Sequence, residues 1–231
     1  MKVIILAAGV GRRLGATEPK PLTIVDNNNS ILDYQLKNIQ EVIGAVQIIL
    51  VVGYEKEKIR EKFPDLTYID NAIYYKTNTA KSLLYALNTI QNEDVLWMNG
   101  DVFFDGEILI SLRNSVISTC LVKESICGDE EIKYTLDKDG FIQKLSKEVK
   151  DARGEAIGIN LIKKEDLVLF KKALQKVNDD DYFEKALENL TLAKKLKLGV
   201  VNIGNSFAED IDFPEDLEKV KQYIQSLKRE Q

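Results

Sequence analysis

Short apolar runs alternate with amphipathic stretches through the first half of the chain. Val3 to Leu6 is continuously apolar, the pattern of a strand covered on both faces. Ser30 predicts an N-cap for a helix over Ile31 to Val42 that carries Leu32, Leu36 and Ile39 on one side. Val46 to Val52 predicts a second buried strand closed by Gly53, and Glu55 to Phe63 a helix. Leu66 to Ile69 predicts a third strand and Thr79 to Ile90 another helix. Val95 to Met98 predicts a fourth strand, ending at Asn99-Gly100-Asp101. This alternation implies a parallel sheet with helices on both faces.

The pattern changes after Ser115. Val116 to Val122, Lys133 to Leu136, Phe141 to Leu145 and Ala156 to Ile162 predict strands, with Asp137-Lys138-Asp139-Gly140 as a hairpin turn. Helices over Lys164 to Val177 and Asp181 to Leu190 follow, then a strand at Leu198 to Val201 and a last helix from Pro214. With no repeat, low-complexity tract or linker, the expectation is one α/β domain over residues 1–231. Residues 1–115 and 116–231 would form its two halves, the antiparallel strands of the second lying over one end of the sheet.

Composition narrows the chemistry. The 231 residues include no histidine, which removes Ser-His-Asp and Cys-His hydrolases, His-ligated zinc and histidine bases together. Carboxylates, lysine, arginine, hydroxyls and a hard metal remain. The two cysteines, Cys120 and Cys127, cannot build a four-thiolate zinc site and fit a reduced compartment as packed small hydrophobes. A net charge of −5 disfavours bulk binding to nucleic acid or an anionic membrane while leaving room for a local basic pocket. No apolar run reaches the ~20 residues that span a bilayer. The run from Val3 to Val10 is closed by Arg12 and Arg13 where a signal peptide would need small residues. A cytoplasmic location is expected.

Leu6-Ala7-Ala8-Gly9-Val10-Gly11-Arg12-Arg13-Leu14 follows the first strand directly. Small residues there let the backbone approach a ligand, and successive N–H groups can surround phosphate oxygens. A dinucleotide fingerprint needs a third glycine where Leu14 stands, and Gly15 comes one position late. Gly-Lys-Ser/Thr is absent, so this is not a P-loop. What remains is a glycine loop with an arginine pair, followed by Pro19-Lys20-Pro21-Leu22.

Those two segments resemble the signature of the sugar-phosphate nucleotidyltransferases, most of all the short phosphocholine and inositol-phosphate cytidylyltransferase-like members. Val51-Val52-Gly53-Tyr54, Thr77 to Leu83, Gly100-Asp101, Asp210-Ile211-Asp212 and Pro214 to Leu217 continue the resemblance in the family's order. It implies a Rossmann-like three-layer α/β/α fold whose mixed, mainly parallel sheet carries a small antiparallel extension. It also implies transfer of a nucleotidyl group, with CTP as the expected donor, to a small phosphorylated acceptor such as phosphocholine, with release of pyrophosphate.

By that resemblance Arg13 contacts the leaving phosphates and Lys20 steadies charge at the reacting centre. Leu6, Ala7, Ala8, Gly9 and Gly11 cradle the nucleotide, Asn78 and Ser82 face its base or ribose, and Gly53 allows close approach. Asp101 and Asp212 hold Mg²⁺, which favours few protein ligands, with Asp210 a nearby acidic position. Lys123, Lys133 and Lys147 are candidates for the acceptor phosphate and equally ordinary surface lysines. Asn78 also suits a helix cap, and Asp212 a capping box for the Pro214 helix. Two other readings stay open: a non-catalytic nucleotide sensor on the same scaffold, and a dinucleotide oxidoreductase that the glycine spacing disfavours.

Overall fold

A computed structural model describes residues 1–15 and 18–229, with the Arg12 side chain outside the described set. The first half contains β1 (Lys2–Ala7), β2 (Ile24–Asp26), β3 (Asn29–Ser30), α1 (Ile31–Val42), β4 (Gln47–Val52), α2 (Lys56–Lys62), β5 (Thr67–Asp70), α3 (Thr79–Leu87), β6 (Val95–Asn99), β7 (Val102–Phe104) and α4 (Ile108–Arg113). The second half contains β8 (Thr119–Lys123), β9 (Lys133–Leu136), β10 (Ile142–Ser146), β11 (Gly154–Ile162), α5 (Lys164–Lys176), α6 (Phe183–Leu192), β12 (Gly199–Asn202), β13 (Ala208–Asp210) and α7 (Pro214–Arg229). Among the described residues no helix is long and apolar enough to cross a membrane.

The main sheet runs β10-β9-β11-β6-β1-β4-β5, with β8 joined to β11 and β12 to β8. β6, β1, β4 and β5 are mutually parallel, whereas β11 lies antiparallel to β6. The antiparallel strands therefore continue the sheet instead of lying over its end. Alternation along β1 sends Val3, Ile5 and Ala7 to a core layer containing Leu32 and Ile39 of α1. Ile4 and Leu6 face the opposite layer, with Leu83 of α3, Phe170 of α5 and Phe183 of α6. This is the three-layer α/β/α arrangement. A third cluster packs Val220 and Ile224 of α7 against Val25, Phe103 and Ile211.

Several boundaries move for local reasons. α3 stops at Leu87, because Asn88 and Thr89 close its last turn and the Thr89 hydroxyl donates to the Ala86 carbonyl. β8 begins only at Thr119, since Val116 is 87% exposed in the turn before it. Two short pairs, β2 with β3 and β7 with β13, are not visible in the hydrophobic pattern.

α1 starts with a capping box. The Asp33 amide donates to the Ser30 hydroxyl oxygen, and the Ser30 amide donates to the Asp33 carboxylate. Burial opposes the charged form of Asp33, but Lys62 and the Ser30 donors outweigh it and hold the carboxyl below its ordinary range. Asp33→Ala is expected to destabilise the protein by about 1 kcal/mol at pH 7. The contribution belongs to the charged carboxylate, so the gap in melting temperature should close as pH falls through the depressed pKa. Thermal melts at pH 7 and pH 3 check this; an equal gap at both refutes it.

Candidate active site

β1, β4 and β6 end at one edge of the sheet, and an open cleft of about 630 Å³ lies beyond β1 and β6. Ligands of open α/β sheets bind at such carboxyl ends. The end of β1 and the loop after it form part of its wall through Leu6, Ala7, Gly9, Gly11 and Arg13. Gly11 sits at φ +63, and a Cβ there would lie 3.1 Å from Lys20 Cβ. The loop thus packs tightly over the Lys20 side chain, which is 9% exposed. Gly100 is equally constrained: a Cβ would stand 2.8 Å from the Leu6 carbonyl oxygen, which accepts the Gly100 amide at 2.9 Å.

Asp101 follows that turn, and α1 fixes it from below. The buried Gln35 side-chain amide donates to the carbonyls of Asn99 and Val102 at 2.9 and 2.8 Å. The antiparallel pairing of β7 with β13 then sets Asp210 opposite Val102, and the Ile211 amide donates to the Asp101 carbonyl at 3.1 Å. Carboxylate oxygens of Asp101, Asp210 and Asp212 consequently lie within 4.8 Å of one another.

Lys20 sits in this acidic trio. Its Nζ donates to Asp101 Oδ2 at 2.7 Å and to Asp212 Oδ1 at 2.5 Å. Burial pulls the Lys20 pKa down, but the charges of Asp101 and Asp210 outweigh it and raise it above the usual lysine value. Asp210 opens onto the cleft yet is crowded by protein on its other sides. Desolvation there, with the Asp101 charge added, pushes its carboxyl well up. Three hard oxygen donors facing one ammonium suit a small divalent cation such as Mg²⁺. Arg13 reaches Asp212 at 3.5 Å and Glu130 at 3.1 Å, and Glu130 also pairs with Lys147 at 3.0 Å. A chain of alternating charge therefore crosses the cleft from Lys147 to Asp101.

The capping alternative for Asp212 does not hold. Asp216 accepts the amides of Asp212 and Phe213 at the start of α7, which frees the Asp212 carboxylate to face Lys20. The capping reading of Asn78 holds. Its Oδ1 accepts the Thr79 amide at the α3 N-terminus, and the residue lines the cleft. The Asn78 amide and side chain also donate to the carbonyls of Asp179 and Asp180, tying α3 to the segment before α6.

Lys123 and Lys147 line the cleft, but Lys133, on β9, does not. Three other residues stand outside the cleft wall. Ser82 is buried and accepts from the Asn71 side-chain amide at 3.0 Å, so it braces α3 instead of facing a base. Gly53 is packed where a Cβ would stand 2.7 Å from Tyr74 Cβ and 2.8 Å from the Ala8 carbonyl oxygen. That glycine serves strand-to-loop packing. Ala8 is 5% exposed and turns its carbonyl to the Tyr54 amide.

The wall built by the second half of the chain adds Glu131, Glu155 and Glu184, none of which the sequence motifs singled out. The one available signal was Glu184 itself, an acidic residue between the apolar positions Phe183 and Leu187 of a predicted helix.

A glycine loop, two cations and three carboxylates thus meet at the carboxyl edge of a mainly parallel sheet in an α/β protein. Residues 3–125 match the MobA-like NTP transferase domain, and the chain belongs to that family. It is 32% identical over 154 residues to the bifunctional protein GlmU of Methanococcus maripaludis, covering 64% of this chain and 36% of that protein. It is 30% identical over 142 residues to the UTP–glucose-1-phosphate uridylyltransferase AglF of Haloferax volcanii, covering 58% of each. The chain thus spans between about a third and three-fifths of these relatives' lengths. Two solved structures share the fold over nearly the whole chain. The inositol-1-phosphate CTP transferase from T. maritima superposes with a TM-score of 0.78 at 19% identity, covering 95% of this chain and 96% of that one. The CTP:phosphocholine cytidylyltransferase LicC from Streptococcus pneumoniae gives 0.76 at 21% identity, covering 96% and 98%.

Proposed function

We propose that the chain is a Mg²⁺-dependent nucleotidyltransferase that joins an NTP, with CTP the expected donor, to a small phosphorylated alcohol. The observation that carries this reading is Lys20 held between Asp101 and Asp212, with Asp210 beside them and the glycine loop overhead. An oxygen of the acceptor phosphate attacks the α-phosphorus, the bond from that phosphorus to the bridging oxygen breaks, and pyrophosphate leaves. Attacker, centre and leaving group are all anionic, so charge neutralisation is the main task.

Asp101 and Asp212, with Asp210 adjacent, would hold Mg²⁺, whose charge lowers the repulsion between acceptor and triphosphate. Lys20 supplies a buried positive charge where the anions converge, and Arg13 supplies one at the cleft mouth. The backbone N–H groups after β1 orient the phosphates. Family membership supports the nucleotidyl chemistry, and the two superposed proteins, both CTP-using transferases, support CTP. The free thiols of Cys120 and Cys127 fit a reducing, cytoplasmic setting.

Pyrophosphate release tests the reading, with four triphosphates assayed against phosphocholine, phosphoethanolamine, glycerol phosphate, inositol phosphate and sugar 1-phosphates. Release is expected only with triphosphate, acceptor and Mg²⁺ together, falling to background with EDTA. Triphosphate that binds but is never cleaved with any acceptor would instead mark a nucleotide sensor.

A further inference from the structure

The cleft holds a carboxyl group that nucleotidyl transfer does not use. Glu184 stands in the first turn of α6, lines the cleft and is 5% exposed, and its Oε2 has no hydrogen-bond partner. Burial pushes its pKa up to about 7, against its own amide and the charge of Lys147. An unpaired buried carboxyl is costly, and a ligand that supplies the missing donor recovers that cost on binding.

The surroundings say which donor fits. Glu131, on the same wall, has a buried Oε2 that is also unpartnered, and burial raises the pKa of Glu155 beside it. The nearest protein cation, Lys147, is engaged with Glu130 at 3.0 Å and lies 5.4 Å from the Tyr182 ring centroid. Lys123, also in the cleft lining, stands 3.9 Å from Glu155, and the Ser125 hydroxyl donates to the same carboxylate, which leaves Glu184 and Glu131 with the unpartnered oxygens. A neutral polyol could donate an O–H to them but would bring no positive charge.

A quaternary ammonium has no N–H and depends on several converging aromatic faces. Among the described residues the aromatic side chains lining the cleft are Tyr182 and Phe213. Each already has a protein cation over it, Lys147 at 5.4 Å and Arg13 at 5.8 Å. No cage remains to be filled.

We propose that Glu184 selects the acceptor by taking an N–H of a primary or secondary ammonium group, so that the acceptor class is an aminoalkyl phosphate. The assignment rests on the nucleotidyl-transfer reading for its reaction, but not for its binding. It narrows the acceptor away from trimethylammonium esters and from polyol phosphates.

The test compares wild type with Glu184→Gln on phosphoethanolamine, phosphocholine and glycerol phosphate, by turnover with CTP and Mg²⁺ and by calorimetry without turnover. Wild type should favour phosphoethanolamine at least about tenfold in kcat/KM, the lower range for one charge-assisted hydrogen bond. Glu184→Gln should raise KM and Kd for phosphoethanolamine about 10- to 100-fold. Its kcat, its KM for CTP and its KM for glycerol phosphate should hardly move. The change removes an unpaired buried carboxyl, so the melting temperature should hold or rise.

Unchanged phosphoethanolamine affinity in Glu184→Gln overturns the assignment, as does wild-type preference for phosphocholine or glycerol phosphate. If no acceptor releases pyrophosphate but phosphoethanolamine binds and Glu184→Gln loses it, the transfer reading fails and the Glu184 assignment stands.

Discussion

Asp101→Ala should lower turnover by about 10²- to 10³-fold, the usual loss when one preorganised charge at a reacting centre is removed. Asp101 stands just beyond β6 and shares Lys20 with Asp212. Its removal takes away one of three oxygen donors without emptying a core position, since its side chain is 26% exposed. The fold should therefore persist, with a circular dichroism spectrum and melting temperature close to wild type. Mg²⁺ affinity, followed by calorimetry or by Mn²⁺ substitution and spin resonance, should fall in parallel with turnover. Full activity in the variant would remove Asp101 from the reaction.

Lys20→Met should damage both activity and stability, with a signature that separates it from an ordinary surface change. Methionine keeps most of the volume under Gly11 but deletes the charge between Asp101 and Asp212. Breaking a fully buried ion pair costs about 3–5 kcal/mol. Asp101 and Asp212 are 26% and 36% exposed, so solvent screening brings the expectation down to about 1–3 kcal/mol. The three crowded carboxylates would then repel one another with only the half-exposed Arg13, 3.5 Å from Asp212, as counter-charge. Added Mg²⁺ should recover much of the lost melting temperature, while turnover stays about 10²-fold or more below wild type. A variant that melts like wild type in EDTA would contradict this account of the acidic trio.

The parallel strands were legible because β1, β4 and β6 are covered on both faces and so appear as unbroken apolar runs. α1 was legible to the residue, since Ser30 announces its start, while the Asp33 half of the capping box emerged only from the structure. The short pairing of β7 with β13 was not. Each strand has three residues, too few for periodicity, and their register depends on chain segments far apart in sequence. That pairing is what brings Asp210 and Asp212 to Asp101, so composition and motif order could suggest the trio but not place it. Gly53 and Ser82 misled for a simple reason. A glycine after a strand and a hydroxyl at a helix start serve packing and ligand binding alike, and only the neighbours Tyr74 and Asn71 decide between them. Glu184 escaped notice because an acidic residue on an amphipathic helix ordinarily faces solvent.

The β7–β13 zipper also bears on how the molecule comes into being. During synthesis the glycine loop, Lys20 and Asp101 emerge long before β13 and Asp212. Closing so long a loop is entropically slow. Until β13 pairs with β7, a growing chain would therefore carry Asp101 and Asp212 far apart and unstrained, and the proposed metal site would be incomplete.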